Sequence, residues 1–385
     1  MSRPLPLAGV RVLDLTRLLP GPVATLHLAD LGAEVIKIED PEAGDYARTL
    51  GTGQGEDSAY FRMINRNKRG LCLDLKHPDG AAIFLRLART ADVVVESFRP
   101  GVVDKLGIGY AAVAAANPAI AYCSISGYGQ DGPYRDRAGH DINYLGYAGV
   151  LDQIGTPGSA PAIPNFQVAD LLGGALTAAM GILAAVIDAR QSGRGRYVDV
   201  SMTDSVLAHT YFAMLRLADH GVSAPRGGDL LSGGVPCYAV YRCADGGYMA
   251  VGALEGKFWK LCCTVLERPE WAARQWDPAL RDEMAALFVT RTRNEWDALF
   301  VTVDCCVTPV LKLEEALCDA QAAARGMSFV ADGVRQFAPP LRMSEMPFTA
   351  VRRAPRQGEH SAEILAEAGC SAAEIDAWRV GGAIR

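Results

Sequence analysis

Short apolar, β-branched runs alternate along the first third of the chain with stretches whose apolar positions recur at helical spacing. Gly9–Leu15, Ala33–Glu39, Leu71–Leu75, Val93–Ser97 and Ile120–Ser126 read as strands. Between them Val23–Leu31, the stretch from His77 to Ala91 and Val103–Ala115 read as helices, with Pro78 suited to a first turn. Strands separated by helices of about 10–15 residues predict βαβ units and a mostly parallel sheet. The expected class is therefore α/β, with a large Rossmann-like domain. The first strand leads into Leu18-Leu19-Pro20-Gly21-Pro22, and no GxGxxG follows it. That disfavours a nicotinamide enzyme.

Beyond this region Asp170–Ala189 predicts a long helix rich in small residues, and Tyr197–Val200 a short strand. A helical stretch from Met202 to His220 precedes a Gly-, Ser- and Pro-rich loop at Ser223–Gly234. Tyr238–Tyr241 and Tyr248–Gly252 flank Ala244-Asp245-Gly246-Gly247 as a hairpin. The pattern divides the chain into a large domain at 1–200, a linker helix at 201–229, a smaller α+β domain at 230–325, and a tail at 326–385 that returns to the large domain.

Composition narrows the function classes. The 385 residues are 50% hydrophobic and 21% charged, with a net charge of −6. Long basic tracts are absent, so nucleic acid and anionic membranes are poor partners. The longer apolar runs are broken before about 20 residues, so no transmembrane helix is expected. The N-terminus lacks the apolar segment of a signal peptide. Ten cysteines show no CxxC spacing and the six histidines no HxxxH, so no metal site is expected. Most cysteines fall in apolar runs, which points to a reducing, cytoplasmic location.

The candidate chemistry lies in Ala138-Gly139-His140-Asp141-Ile142-Asn143-Tyr144 and in Asp170, thirty positions after His140. A histidine and a carboxyl group at element boundaries are the two groups needed to add and remove a proton at one carbon. Each also has a structural explanation. A loop histidine is usually a satisfied hydrogen-bonder, and Asp170 before a helix is a favoured N-cap. A helix N-terminus stabilises the carboxylate, whereas an apolar pocket stabilises the protonated acid. Arg99, just after a strand, stands where α/β proteins bind ligands.

The chain resembles the family III CoA-transferase superfamily over nearly its whole length. The segments that carry the likeness are Gly9–Asp14, Pro20-Gly21-Pro22, Leu31–Lys37, Asn67–Lys76, Glu96–Gly101, Ser126–Gln130, Gly139–Tyr144, Asp199–Met202 and Ala253-Leu254-Glu255. Within the superfamily, Gly139-His140-Asp141, Glu255 and Gly233-Gly234-Val235-Pro236 resemble the acyl-CoA racemase branch. Transferases usually carry an aromatic residue where this chain has His140.

The resemblance implies a large Rossmann-like domain and a small domain joined by linkers, in an interlocked homodimer. It implies an acyl-CoA thioester as substrate, with no metal or organic cofactor because the thioester activates the carbon. His140 and Asp170 would be the catalytic pair, with Glu255 orienting or tuning His140. Arg99, the Asp74-Leu75-Lys76-His77 segment and Lys68, with Arg69, would serve the CoA moiety. Gly139, Asp141, Asn143 and Tyr144 would shape a turn whose N–H groups face the thioester oxygen. Asp40 departs from the pattern, since the racemases carry an arginine there, and an acid cannot hold phosphate. The expected reaction is racemisation of 2-methyl-branched acyl-CoA by 1,1-proton transfer through an enolate. The alternative is CoA transfer between carboxylic acids through a mixed anhydride on Asp170.

Overall fold

Six strands form one sheet in the order β3-β2-β1-β4-β5-β6: β1 Arg11–Asp14, β2 Glu34–Glu39, β3 Lys68–Cys72, β4 Val93–Glu96, β5 Ala121–Ser126 and β6 Tyr197–Ser201. Every pairing in it is parallel. This computed structural model describes residues 3–51 and 57–385. The four strands β2 to β5 are nearly continuous buried runs, as expected when helices cover both faces of a sheet. The strand order reverses between β1 and β4. In open α/β sheets, the crevice at that reversal, outside the carboxyl ends of the strands, is where ligands bind.

The third strand is Lys68–Cys72, not the expected Leu71–Leu75. Lys68 and Arg69 break the apolar pattern in sequence, yet both side chains are buried. The Lys68 ammonium donates to Asp14 Oδ2 (3.0 Å), Thr25 Oγ1 (2.8 Å), Asn65 Oδ1 (2.9 Å) and the Pro22 carbonyl (2.9 Å). Arg69 pairs with Glu34 and Glu367. The predicted helix at 103–115 is two helices, Val102–Lys105 and Tyr110–Ala116, separated at Gly107, whose φ is +74°. The stretch from His77 forms its helix only at Gly80–Ala88.

The long helix is built differently from its pattern. Ala169–Leu176 is π-helical, and Thr177–Ser192 continues as an α-helix. Gly173 and Gly174 permit the close packing of the π segment. A Cβ on Gly173 would stand 2.8 Å from the Met202 carbonyl, and one on Gly174 2.7 Å from Pro20 Cβ. Ala169–Ser192 as a whole is long and apolar enough to cross a membrane by length and composition, which corrects the expectation that no run reaches that length. Buried core helices pass the same test, and Ala178, Ala179, Ile182, Ala185 and Val186 of this one are buried.

The chain forms two compact units. The first contains residues 1–148, 166–208 and 321–385, and the second 149–165 and 209–320. The segment 149–165, counted with the large domain on the sequence pattern, folds with the second unit because Arg226 holds it. Arg226 donates from Nε to the Asp152 carbonyl and from Nη2 to Asp152 Oδ1, both at 2.7 Å. The predicted helix at 202–220 breaks into Met202–Leu207 and Tyr211–His220, with the unit boundary between them. The C-terminal segment joins the first unit's core through Ile364, Leu365, Ile375 and Ile384, which pack with Leu71, Leu73 and Phe84. The second unit holds an antiparallel sheet of β7 Tyr238–Arg242, β8 Tyr248–Gly252 and β9 Val307–Pro309 over a core of Trp259, Trp271, Phe288, Trp296 and Phe300.

Candidate active site

A cleft of about 550 Å³ opens at the reversal point of the parallel sheet. Its walls come from Arg17–Pro20 after β1, Ser97–Pro100 after β4, Ile125–Tyr128 at the end of β5, and the 135–144 segment. His140, Asp170, Gly139, Asn143, Tyr144 and Arg99 all line it, so six of the residues singled out in sequence share one cavity.

The wall after β1 rests on buried charges. Lys68 and Asp14 are fully buried, as are Lys37 and Asp45, which pair at 2.7 Å. Burial opposes ionisation of Asp14, but Lys68, Lys37 and the Thr16 and Thr25 hydroxyls outweigh it and hold the carboxyl below its ordinary range. Asp45 Oδ1 accepts from the Leu18 N–H at 3.0 Å, and Leu18 adopts φ +64°, rare for a side-chain-bearing residue. Lys68 is thus a structural cation with its donors engaged. The expectation that it steers CoA is corrected, and so is that for Arg69.

His140 is the N-cap residue of the helix Asp141–Tyr147, with extended backbone angles. Asn143 Oδ1 accepts from its N–H at 3.0 Å and fixes the turn. The His140 side chain itself is exposed in this chain. Tyr144 closes the turn from behind, its hydroxyl donating to the Gly139 carbonyl. Its ring runs so close to the backbone that a Cβ on Gly139 would stand 2.6 Å, and one on Gly127 2.2 Å, from its Cε1. Gly139 is therefore required for close approach rather than for unusual dihedrals. Burial and the neighbouring Asp170 push the Tyr144 hydroxyl up, so it stays a donor.

Asp170 lies within the first turn of the π-helical segment, a geometry that recurs at functional sites. It is not the N-cap, which corrects that alternative. Val168 occupies the cap position and offers no side-chain bond. Asp141 supplies the cap from another element: its Oδ1 accepts from the N–H groups of Ala169 (2.7 Å) and Asp170 (3.0 Å). Asp141 therefore acts on Asp170 rather than lining the cleft. Burial, reinforced by the Asp141 charge, pushes the Asp170 carboxyl up to about 7. The desolvation effect thus wins over the helix N-terminus.

Three cleft residues escaped the sequence reading: Arg17, Arg135 and Arg137. The Arg17 guanidinium lies 5.3 Å from the Phe98 ring centre and 5.6 Å from that of Tyr46. Arg137 stacks 4.1 Å over Tyr134 and donates to the Tyr147 hydroxyl at 2.6 Å. Arg135 donates to the Gln130 carbonyl at 3.0 Å. Arg99 is exposed and forms no ion pair among the described residues. Four guanidiniums against one half-protonated carboxyl make the cleft strongly attractive to a polyanion.

The remaining residues fall elsewhere. Asp74, Leu75, Lys76 and His77 form a tight turn after β3, closed by Asp74 Oδ1 accepting from the Lys76 N–H at 2.8 Å. Leu75 packs on the hydrophobic core, and none of the four lines the cleft. Asp40 uses its Oδ1 to accept from the N–H groups of Glu42 and Ala43, each at 2.9 Å, so it shapes its own loop. Glu255 belongs to the second unit, where it is exposed at the N-cap of the helix Gly256–Val265 and its charge bears on Cys306.

The family model of CoA-transferase family III matches residues 7–361. The chain belongs to this family. It is 37% identical over 377 residues to the α-methylacyl-CoA racemase of Homo sapiens, covering 96% of this chain and 95% of the relative. It is 35% identical over 390 residues to the succinate–glutarate CoA-transferase of Agrobacterium fabrum, covering 95% and 96%. Among solved structures, a CaiB/BaiF family protein from Brucella suis superposes with a TM-score of 0.83 at 33% identity, over 95% of this chain and 100% of that one. The family III fold is thus shared by racemases and transferases alike, and the cleft chemistry has to choose between them.

Proposed function

We propose that this protein is a racemase or epimerase of 2-methyl-branched acyl-CoA thioesters. The observation that carries the reading is a carboxyl group, Asp170, held near half-protonation at neutral pH in the same cleft as an exposed imidazole, His140. The 37% identity to a racemase over nearly the whole chain adds to it.

In the proposed reaction His140 removes the α-proton and the C–H electron pair enters the thioester as an enolate. Protonated Asp170 then delivers a proton to the opposite face, which inverts the centre. The reverse reaction exchanges the roles. At the start of the helix Asp141–Tyr147 the Asn143 N–H is taken by the His140 carbonyl at 2.8 Å, which leaves the N–H groups of Asp141 and Ile142 for the enolate oxygen. Arg17, Arg99, Arg135 and Arg137 receive the CoA phosphates, in place of the arginine that Asp40 replaces. No added cofactor is required, because the thioester acidifies the carbon. Glu255 is assigned the orientation of His140 on family resemblance.

The second reading, CoA transfer with Asp170 as nucleophile, is supported by the 35% identity to a transferase. Incubation with a 2-methylacyl-CoA in deuterated water, without any acceptor acid, separates the two. A racemase incorporates deuterium at C2 and inverts the centre. Absence of exchange, with thioester transfer once a free acid is added, would overturn the proposal.

We also propose that the chain works as a homodimer. The large apolar side chains left exposed on its helices, Met180 (66%) and Ile187 (58%) in one unit and Tyr211 (73%) in the other, support assembly. Sedimentation as a monomer at micromolar concentration would exclude it.

A further inference from the structure

Among the described residues, the Asp141 side chain connects the two segments bearing the proposed proton-transfer pair. It follows His140 directly in sequence and starts the helix Asp141–Tyr147. Its Oδ1 reaches across 28 and 29 sequence positions to the N–H groups of Ala169 and Asp170. Those donors are among the first-turn N–H groups that a helix leaves without internal partners. The carboxylate thus does two separable things. As an acceptor, it fastens the π-helical turn to the His140 turn. As a charge, it stands beside Asp170 and disfavours a second negative charge there.

We propose that Asp141 is a positioning residue for the proton-transfer pair, clamping the Asp170 turn against the His140 turn and electrostatically keeping the proton on Asp170. This inference rests on the racemase reading for its kinetic consequence but not for its titration. The other ionisable groups near Asp170 do not compete for the role. Tyr144 and Tyr60 are both pushed upward, burial first and the Asp170 charge second, and remain neutral through the working range. His140 and the four cationic guanidiniums of Arg17, Arg99, Arg135 and Arg137 share the cleft. On the helices packed against the π segment, His27 and Asp30 of Pro20–Asp30 interact with each other and with Arg66, while Asp204 of Met202–Leu207 acts on Asp199.

An asparagine at this position separates the two functions, because its Oδ1 accepts the same N–H bonds without the charge. In the full-length Asp141→Asn protein, the Asp170 carboxyl, followed by carbon-13 NMR and assigned against Asp170→Asn, titrates about one pH unit lower than in the native chain. The basic limb of the inversion profile, in the direction that uses protonated Asp170 as donor, moves down by the same amount, so inversion at pH 8 falls about 10-fold. Asp141→Ala loses both functions, and its kcat at every pH falls below that of the asparagine variant.

An unshifted Asp170 titration in Asp141→Asn would overturn the electrostatic half. Native kcat in a folded Asp141→Ala would overturn the clamp. If the alanine variant does not fold, the asparagine variant still decides, since a purely structural cap would leave its pH profile unmoved. Lack of C2 exchange by the native protein would sink the racemase reading yet leave the titration readable.

Discussion

The Lys68 ammonium reaches the Asp14 carboxylate at 3.0 Å with both side chains sealed from solvent. β2, which lies between β3 and β1, adds the Lys37–Asp45 pair to the same buried cluster, and Asp45 holds the Leu18 N–H at the cleft wall. Removing one partner of such a pair leaves an uncompensated buried charge. Lys68→Met is therefore expected to destabilise the chain by about 3–5 kcal/mol in chemical denaturation. A loss below about 1 kcal/mol would show that Asp14 finds other compensation. Pairing Lys68→Met with Asp14→Leu should recover much of the loss.

Asp170 provides a prediction of the opposite sign. Burial, with the Asp141 charge beside it, pushes its carboxyl up to about 7 in the folded chain, from 3.8 for an ordinary aspartate. Folding takes up a proton between those values, so this group lowers stability as pH rises through the window, and the full penalty stands above the folded value. Asp170→Asn removes the charge. Its melting temperature should rise by roughly 2 °C or more at pH 8 and stay unchanged at pH 3.5, below both titrations. The same variant should lose C2 inversion. Equal effects at both pH values would mean that Asp170 titrates normally.

The sheet was legible because its strands are buried on both faces and read as unbroken β-branched runs, as Val93-Val94-Val95 does. Where a buried strand starts with Lys68 and Arg69, the pattern fails, since only the fold reveals the carboxylates that neutralise them. His140 and Asp170 were found as residue types at element boundaries. The capping of Asp170 by Asp141 was not, because a bond across 29 positions leaves no periodic trace. The π-helical turn shows the same small, apolar residues as an α-helix, so its altered register is silent in sequence. Arg17, Arg135 and Arg137 look like any surface arginine until the strand order puts the loops after β1 and β5 at one cleft.

The cleft guanidiniums should act on binding rather than chemistry. Arg99 is exposed and without an ion pair among the described residues, and so has donors free for a phosphate. Arg99→Ala is expected to raise KM for the acyl-CoA about 10- to 100-fold with kcat little changed, since one charge-assisted hydrogen bond is worth about 1.5–3 kcal/mol. The effect should shrink when the same acyl group is offered on a thiol without the nucleotide. A fall in kcat at constant KM would move Arg99 from CoA binding to the reacting centre.

Gly139 tests how the His140 turn is held. On one side of it the Arg137 guanidinium, three positions before His140, is fixed by the Tyr147 hydroxyl and the Tyr134 ring. Gly139, between them, admits no side chain, because a Cβ would stand 2.6 Å from Tyr144 Cε1 and 3.0 Å from the Tyr128 hydroxyl. Gly139→Ala must therefore displace either the turn or the Tyr144 ring. A displacement of about 1 Å at a reacting group costs on the order of 100-fold in rate. Inversion by Gly139→Ala should fall by about that factor while the melting temperature and KM change little. Shortening the obstructing side chain with Tyr144→Leu in the same chain should restore part of the rate, whereas Tyr144→Phe, which keeps the clashing ring carbon, should not. Rescue by the phenylalanine would place the conflict at the tyrosine hydroxyl instead of the ring edge.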